Sequence, residues 1–136
     1  MDHEKKLIVT RGLPGSGKST WAHEQPAIVV NKDKIRAAMK NYDYERGDES
    51  KVLTLRDEFI EMGLYWGLDV ISDDTNLNPY HIRQLQFLAE AHDAEFEIVD
   101  FDVDIETCIA RDAQREEPVG EDVIRGMAKK WLTQSV

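Results

Sequence analysis

Short apolar runs alternate with longer stretches of helical periodicity along the chain, the pattern of a parallel α/β architecture. KLIVT (6–10), AIVVN (27–31), LDVIS (68–72) and FEIVDF (96–101) predict four strands. Helical spacing fills the intervals at Lys18–Glu24, Asp33–Tyr42, Glu49–Trp66, Pro79–His92, Ile105–Arg115 and Glu121–Trp131. The fourth of these has the clearest start, with Asn78 placed to cap and Pro79 at the first helical position. Residues 41–50, NYDYERGDES, are polar and aperiodic and are expected to form a mobile loop. No repeat or linker divides the sequence, so residues 1–136 are expected to make one domain.

The interval after the first strand carries the most specific chemistry. GLPGSGKS, Gly12 to Ser19, matches G-x-x-x-x-G-K-[ST] between a strand and a helix, the context the motif requires. Glycines let the backbone wrap closely enough for its amides and the helix N-terminus to face phosphates. Gly12, Pro14, Gly15, Ser16 and Gly17 therefore form the candidate cradle. Lys18 is expected to reach the β- and γ-phosphates of ATP or another nucleoside triphosphate, and Ser19 to ligate magnesium. Thr20 follows at the cradle's edge, where capping and packing of the helix compete with ligand contact. The predicted fold is accordingly a P-loop NTPase: a parallel sheet of four to five strands, flanking helices and a C-terminal helical lid.

Ligands of such sheets gather at the carboxyl ends of the strands, and NKDKIR follows the second strand there. Asp33 is placed to take the proton of an acceptor hydroxyl, and Arg36, one turn later on the same face, to hold an anionic acceptor. A plainer reading makes Asp33 the N-cap of the next helix. The third strand runs into SDDTNLNP, an apolar strand ending in acid, as where a carboxylate orients magnesium. If the strand continues, Asp73 and Asp74 point to opposite sides, and Asp74 is favoured as the one facing the site. Thr75 and Asn76 are candidates for acceptor binding. Arg111 and Arg115, at i and i+4 before an acid and proline break, suit a lid that neutralises charge on a transferred phosphoryl group. They equally suit a surface pair with nearby acids.

Charge sharpens this picture. Residues 1–40 hold eight Lys/Arg against four Asp/Glu, a local balance of +4, which leaves −14 to the rest of a chain whose net charge is −10. A basic segment on an acidic body points to a focused anion site, not to a surface that coats long nucleic acid. Cys108 lies in a helical pattern and reads as a structural thiol, and the four histidines lack metal-ligand spacing. With no apolar stretch long enough to span a bilayer, the expectation is a cytoplasmic protein.

Four of these stretches together resemble the phage-type 5′-hydroxyl polynucleotide kinases. GLPGSGKSTWA, NKDKIR against that family's Asn-Arg-Asp-x-x-Arg, VISDDTNLNP against its Ile-Ser-Asp-Thr-Asn-Leu-Asn-Pro, and the two arginines followed by PVGEDVIRGM carry the likeness over nearly the whole chain. The resemblance implies ATP-dependent transfer of the γ-phosphate to a 5′-hydroxyl end of DNA or RNA. It puts phosphate binding on Lys18 and Ser19, the general base on Asp33, an acceptor-phosphate contact on Arg36, an essential acid on Asp74 and the lid arginine on Arg115. It implies a host-cytoplasmic location if the protein is phage-encoded, and no obligate protein partner. The family's best-known members also carry a 3′-phosphatase domain, which this sequence lacks, so a kinase without that second activity is expected. Three alternatives stand beside this reading: a kinase of hydroxymethyl bases in modified phage DNA, a small-metabolite kinase, and a nucleotide-dependent switch without phosphoryl transfer. Asp33 and the lid arginines speak against the last, which needs neither an acceptor base nor a lid.

Overall fold

A computed structural model describes residues 4–39 and 49–132. The elements run β1 (Lys6–Arg11), α1 (Lys18–His23), β2 (Ile28–Val30), α2 (Lys32–Met39), α3 (Glu49–Tyr65), β3 (Val70–Ser72), α4 (Pro79–Ala91), β4 (Glu95–Asp100), α5 (Ile105–Ala113) and α6 (Glu121–Trp131). Every strand and helix read from the pattern is present, and the differences lie at the ends. Residues 41–48 of the expected loop, and the end expected for α2 at Tyr42, lie outside the described residues. Glu49 and Ser50, read both as the end of that loop and as the start of the third helix, open α3.

The four strands form one parallel sheet in the order β2-β3-β1-β4. Leu7 pairs with Val70 on one side and Phe96 on the other, so β1 lies inside the sheet and its carboxyl end opens between neighbours. Apolar positions on β1, β3, α3 and α4 close one core: Leu7, Val9, Ile60, Leu64, Val70, Leu85 and Ala89 are all fully buried. Burial of a Leu, Val or Ile side chain stabilises by about 1.5–3 kcal/mol. A smaller cluster of Leu13, Leu77, Cys108, Ile124 and Ala128 ties the loop after β1 to α5 and α6, and Cys108 is structural there, as expected. β4 alternates exposed Glu95 and Glu97 with half-buried Phe96 and Ile98, charge that protects a sheet edge from pairing with another chain. Among the described residues no helix is long and apolar enough to cross a membrane.

Two turns set the top of the sheet. At Asn76 the backbone enters the left-handed region, φ 46, which reverses the chain after β3. Leu77 can then drop into the second core, and Asn78 caps α4 by accepting from the Tyr80 amide at 3.0 Å. Helix α2 starts at Lys32 because Asn31 accepts from the Lys34 amide at 3.0 Å. Asn31, not Asp33, is therefore the cap.

Candidate active site

The loop between β1 and α1 is held from below and open above. Gly15 has φ +84, and a Cβ there would lie 2.4 Å from the Cys108 carbonyl oxygen, so α5 packs directly against the loop backbone and excludes a side chain. Gly12 donates its amide to the Thr75 carbonyl at 3.0 Å, and Ser16 is buried. These two shape the loop and do not line the cavity above it. Pro14, Gly15, Gly17, Lys18, Ser19 and Thr20 do line it. Gly17 begins α1 without a side-chain cap, which leaves the first amides of the helix available to an anion.

Lys18 is nearly buried and donates to its own loop, to the Leu13 carbonyl at 2.8 Å and more distantly to Ser16 Oγ at 3.5 Å. Burial pulls its ammonium down to about 8, against the opposing pull of Asp73 and Asp74. Ser19 Oγ donates to Asp73 Oδ2 at 2.8 Å, and the buried Oδ1 of Asp73 has no hydrogen-bond partner among the described residues. A hydroxyl and a carboxylate with a spare oxygen form a hard-oxygen donor set, which fits magnesium.

Here the structure corrects the choice between the two acids. β3 ends at Ser72, so alternation stops, and Asp73 and Asp74 both line the cavity. Asp73 is the partner of Ser19. Asp74 accepts the Lys32 amide at 3.0 Å and so pins the start of α2. Its carboxyl is raised to about 6, chiefly by burial, with Lys32 pulling the other way. Thr75 lines the cavity, but Asn76 does not. The side chain of Asn76 turns inward, 3% exposed, and donates to the Thr10 carbonyl at 2.9 Å, so it locks β1 to the turn after β3.

Across the cavity, α2 presents Asp33 and Arg36 together: Arg36 Nη1 donates to Asp33 Oδ1 at 2.6 Å. Glu49, from the first turn of α3, accepts from Nε at 2.8 Å and Nη2 at 3.0 Å of the same guanidinium. This side-on grip fixes the plane of Arg36 and holds its charge firmly on. Lys32 and Lys34 line the same wall, and burial lowers the Lys32 ammonium. From the other side Arg111 and Arg115 both face the cavity, with Val119 and Met127 beside them. The cleft has a volume of about 730 Å³, a size that suits a nucleotide-scale ligand.

The site thus gathers Lys18, Ser19, Asp33, Arg36, Asp74, Thr75, Arg111 and Arg115 around one cavity and leaves out Gly12, Ser16 and Asn76. Sequence reasoning missed Asn31, Lys32 and Glu49. An Asn directly after an apolar run was a readable cap signal. Glu49 gave none, because thirteen residues outside any periodic relation separate it from Arg36.

A family model described as an AAA domain matches residues 7–133. A protein of Autographa californica nuclear polyhedrosis virus, named as a bifunctional polynucleotide kinase/RNA ligase, is 28% identical over 145 residues, which take in 94% of this chain and 21% of that protein. A chain of the Pnkp1/Rnl/Hen1 RNA repair complex matches at a TM-score of 0.76 and 24% identity, over 97% of this chain and 45% of that one. The APS kinase CysC of Mycobacterium tuberculosis, in complex with AMPPNP and APS, matches at a TM-score of 0.62 and 20% identity, over 82% of this chain and 70% of that one. The solved structures establish the P-loop kinase fold. The chain spans a small part of the viral relative and under half of the repair-complex chain.

Proposed function

The chain belongs to the AAA-domain family, and from that premise we propose that it is an ATP-dependent kinase that transfers the γ-phosphate to the 5′-hydroxyl of DNA or RNA. The observation that carries this reading is the Asp33–Arg36 ion pair, held by Glu49 across one cavity from Lys18 and Ser19. A site that only bound or hydrolysed nucleotide would need no second wall of this kind.

In this mechanism the triphosphate lies on the loop amides, and Lys18 moves from the Leu13 carbonyl to the β- and γ-phosphate oxygens. Ser19 and Asp73 are the residues that would hold magnesium, which when bound would supply charge neutralisation at those oxygens. Asp33 takes the proton of the acceptor hydroxyl as its oxygen bonds to the γ-phosphorus and the bond to the β-phosphate oxygen breaks. Arg111 and Arg115 stabilise the charge that develops on the phosphoryl group. Glu49 occupies the Nε and Nη2 edge of the Arg36 fork and Asp33 one hydrogen of Nη1, which leaves the remaining Nη1 and Nη2 hydrogens for a phosphate of the acceptor strand.

The test is label transfer from γ-labelled ATP, with magnesium, to 5′-hydroxyl oligonucleotides, 5′-phosphorylated controls, hydroxymethyl-base DNA and a metabolite panel. Label on the 5′-hydroxyl ends alone supports the proposal, and label on a metabolite or a modified base sinks it. Arg36→Ala should lose far more activity on an oligonucleotide or a nucleoside 3′-phosphate than on an acceptor without that phosphate. An equal loss on every acceptor would assign Arg36 to the donor phosphates instead.

The depressed ammonium of Lys18 gives nucleotide binding a pH signature. A bound triphosphate favours the protonated lysine, so affinity is complete below pH 8 and falls above it, by at most about tenfold per unit. Titration of a non-hydrolysable ATP analogue at pH 7, 8 and 9 checks this. A flat profile would mean that Lys18 does not pair with the phosphates.

A further inference from the structure

Between the two lid arginines lies Asp112, an acid on the buried side of α5, 2% exposed. A buried carboxylate is costly unless hydrogen-bonded, and this one is bonded at both oxygens. The Val119 amide donates to Oδ1 at 3.1 Å and the Gly120 amide to Oδ2 at 3.0 Å, while Arg115 Nη1 stands 3.5 Å from Oδ1. The Arg115 contact is long and half-exposed, so the two amides do most of the holding. Gly120 begins α6 at φ 103 with no side-chain cap of its own, so α5 supplies the acceptor that the start of α6 lacks, beside the negative charge that Glu121 and Asp122 already bring to its first turn.

We infer that Asp112 is a positioning residue for the lid: by clamping the chain from Arg115 to Gly120 back onto α5, it sets where Arg115 stands over the cavity. The inference rests on the lid role given to Arg115 above. Two cavity-lining residues, Arg115 and Val119, belong to the segment that this one carboxylate closes, and two more, Arg111 and Met127, lie on the helices it joins. α5 ends at Ala113 with Gln114 as its cap, so Arg115 has left the helix, and the clamp supplies the orientation the helix no longer does. A pair of solvated surface arginines would need no buried acid between them.

Asp112→Asn tests this at constant volume. One oxygen becomes an NH₂ that cannot accept, so one of the two amides is left without its acceptor. The expected results are faster hydrogen exchange at the Val119 and Gly120 amides, a kcat reduced by up to about 10²-fold, and a little-changed KM for ATP. Because Asp112 acts through Arg115, the double variant Asp112→Asn/Arg115→Ala should turn over no more slowly than Arg115→Ala alone. Gly120→Ala meets no atom of the described residues within 4 Å but strains φ 103, and it should give the same kcat loss while the carboxylate stays intact. Unimpaired turnover in Asp112→Asn beside an impaired Arg115→Ala would overturn this inference alone, as would additive losses in the double variant. Wild-type turnover in Arg115→Ala would overturn the inference together with the lid reading beneath it.

Discussion

Lys18→Ala is expected to remove phosphoryl transfer and to leave the fold in place. The ammonium is the one side-chain cation within the loop itself, and loss of one preorganised charge at the transferring group costs about 10²–10³-fold or more in rate. Stability survives for two reasons. The Leu13 carbonyl that Lys18 occupies also accepts the Ser16 amide at 3.2 Å, so the turn keeps a hydrogen bond. The ammonium is also held against a desolvation cost, visible in its depression to about 8, so its removal relieves as much as it loses. Single-turnover transfer, with a thermal melt on the same protein, decides the matter. Near-wild-type turnover would remove the loop from the chemistry, and a collapsed melt would show that Lys18 is part of the loop's architecture.

Asp33→Asn should lower the rate by about 10²–10⁴-fold with ATP binding almost unchanged. The substitution keeps the shape and one acceptor oxygen, and removes the charge and the ability to take up a proton. The fold should not register it, because Asn31 caps α2 and the Asp33 side chain is 78% exposed. Its ion pair with Arg36 is worth at most about 1 kcal/mol at such exposure, and Glu49 holds Arg36 without it. Label transfer to a 5′-hydroxyl oligonucleotide, with nucleotide affinity measured in parallel, checks the expectation. An active asparagine variant would reduce Asp33 to a surface partner of Arg36.

The cap at Asn31 makes that experiment cleaner than the sequence promised. As a helix cap, Asp33 would have been replaced by an equally good cap, and structural and chemical roles could have been confused. With the cap elsewhere, Asp33 has no structural duty to α2 beyond its contact with Arg36.

Local physics was legible in the chain. Strand positions followed from short apolar runs and helix positions from the 3.6-residue period, both properties of neighbouring residues, and the phosphate loop followed from glycines whose spacing is itself the geometry. The Asn78 cap with Pro79 was equally local, since a cap bonds within its own first turn. What the chain did not reveal depended on the meeting of distant segments. Ser19 bonds Asp73 across 54 positions, and the end of β3 at Ser72 decides that both acids, not one, reach the cavity. Asn76, which reads as a ligand in a polar turn, becomes an internal strut once its positive φ sends the side chain to Thr10, 66 residues away. Glu49 on Arg36 and Asp112 under the lid leave no periodic trace, because an acid's sequence neighbours do not say which cation or amide the fold will bring to it. The sequence by itself determined the elements and the phosphate-binding chemistry, whose interactions are short-range along the chain. The assignment of each carboxylate was left to the tertiary structure, because burial and pairing are properties of the packed fold.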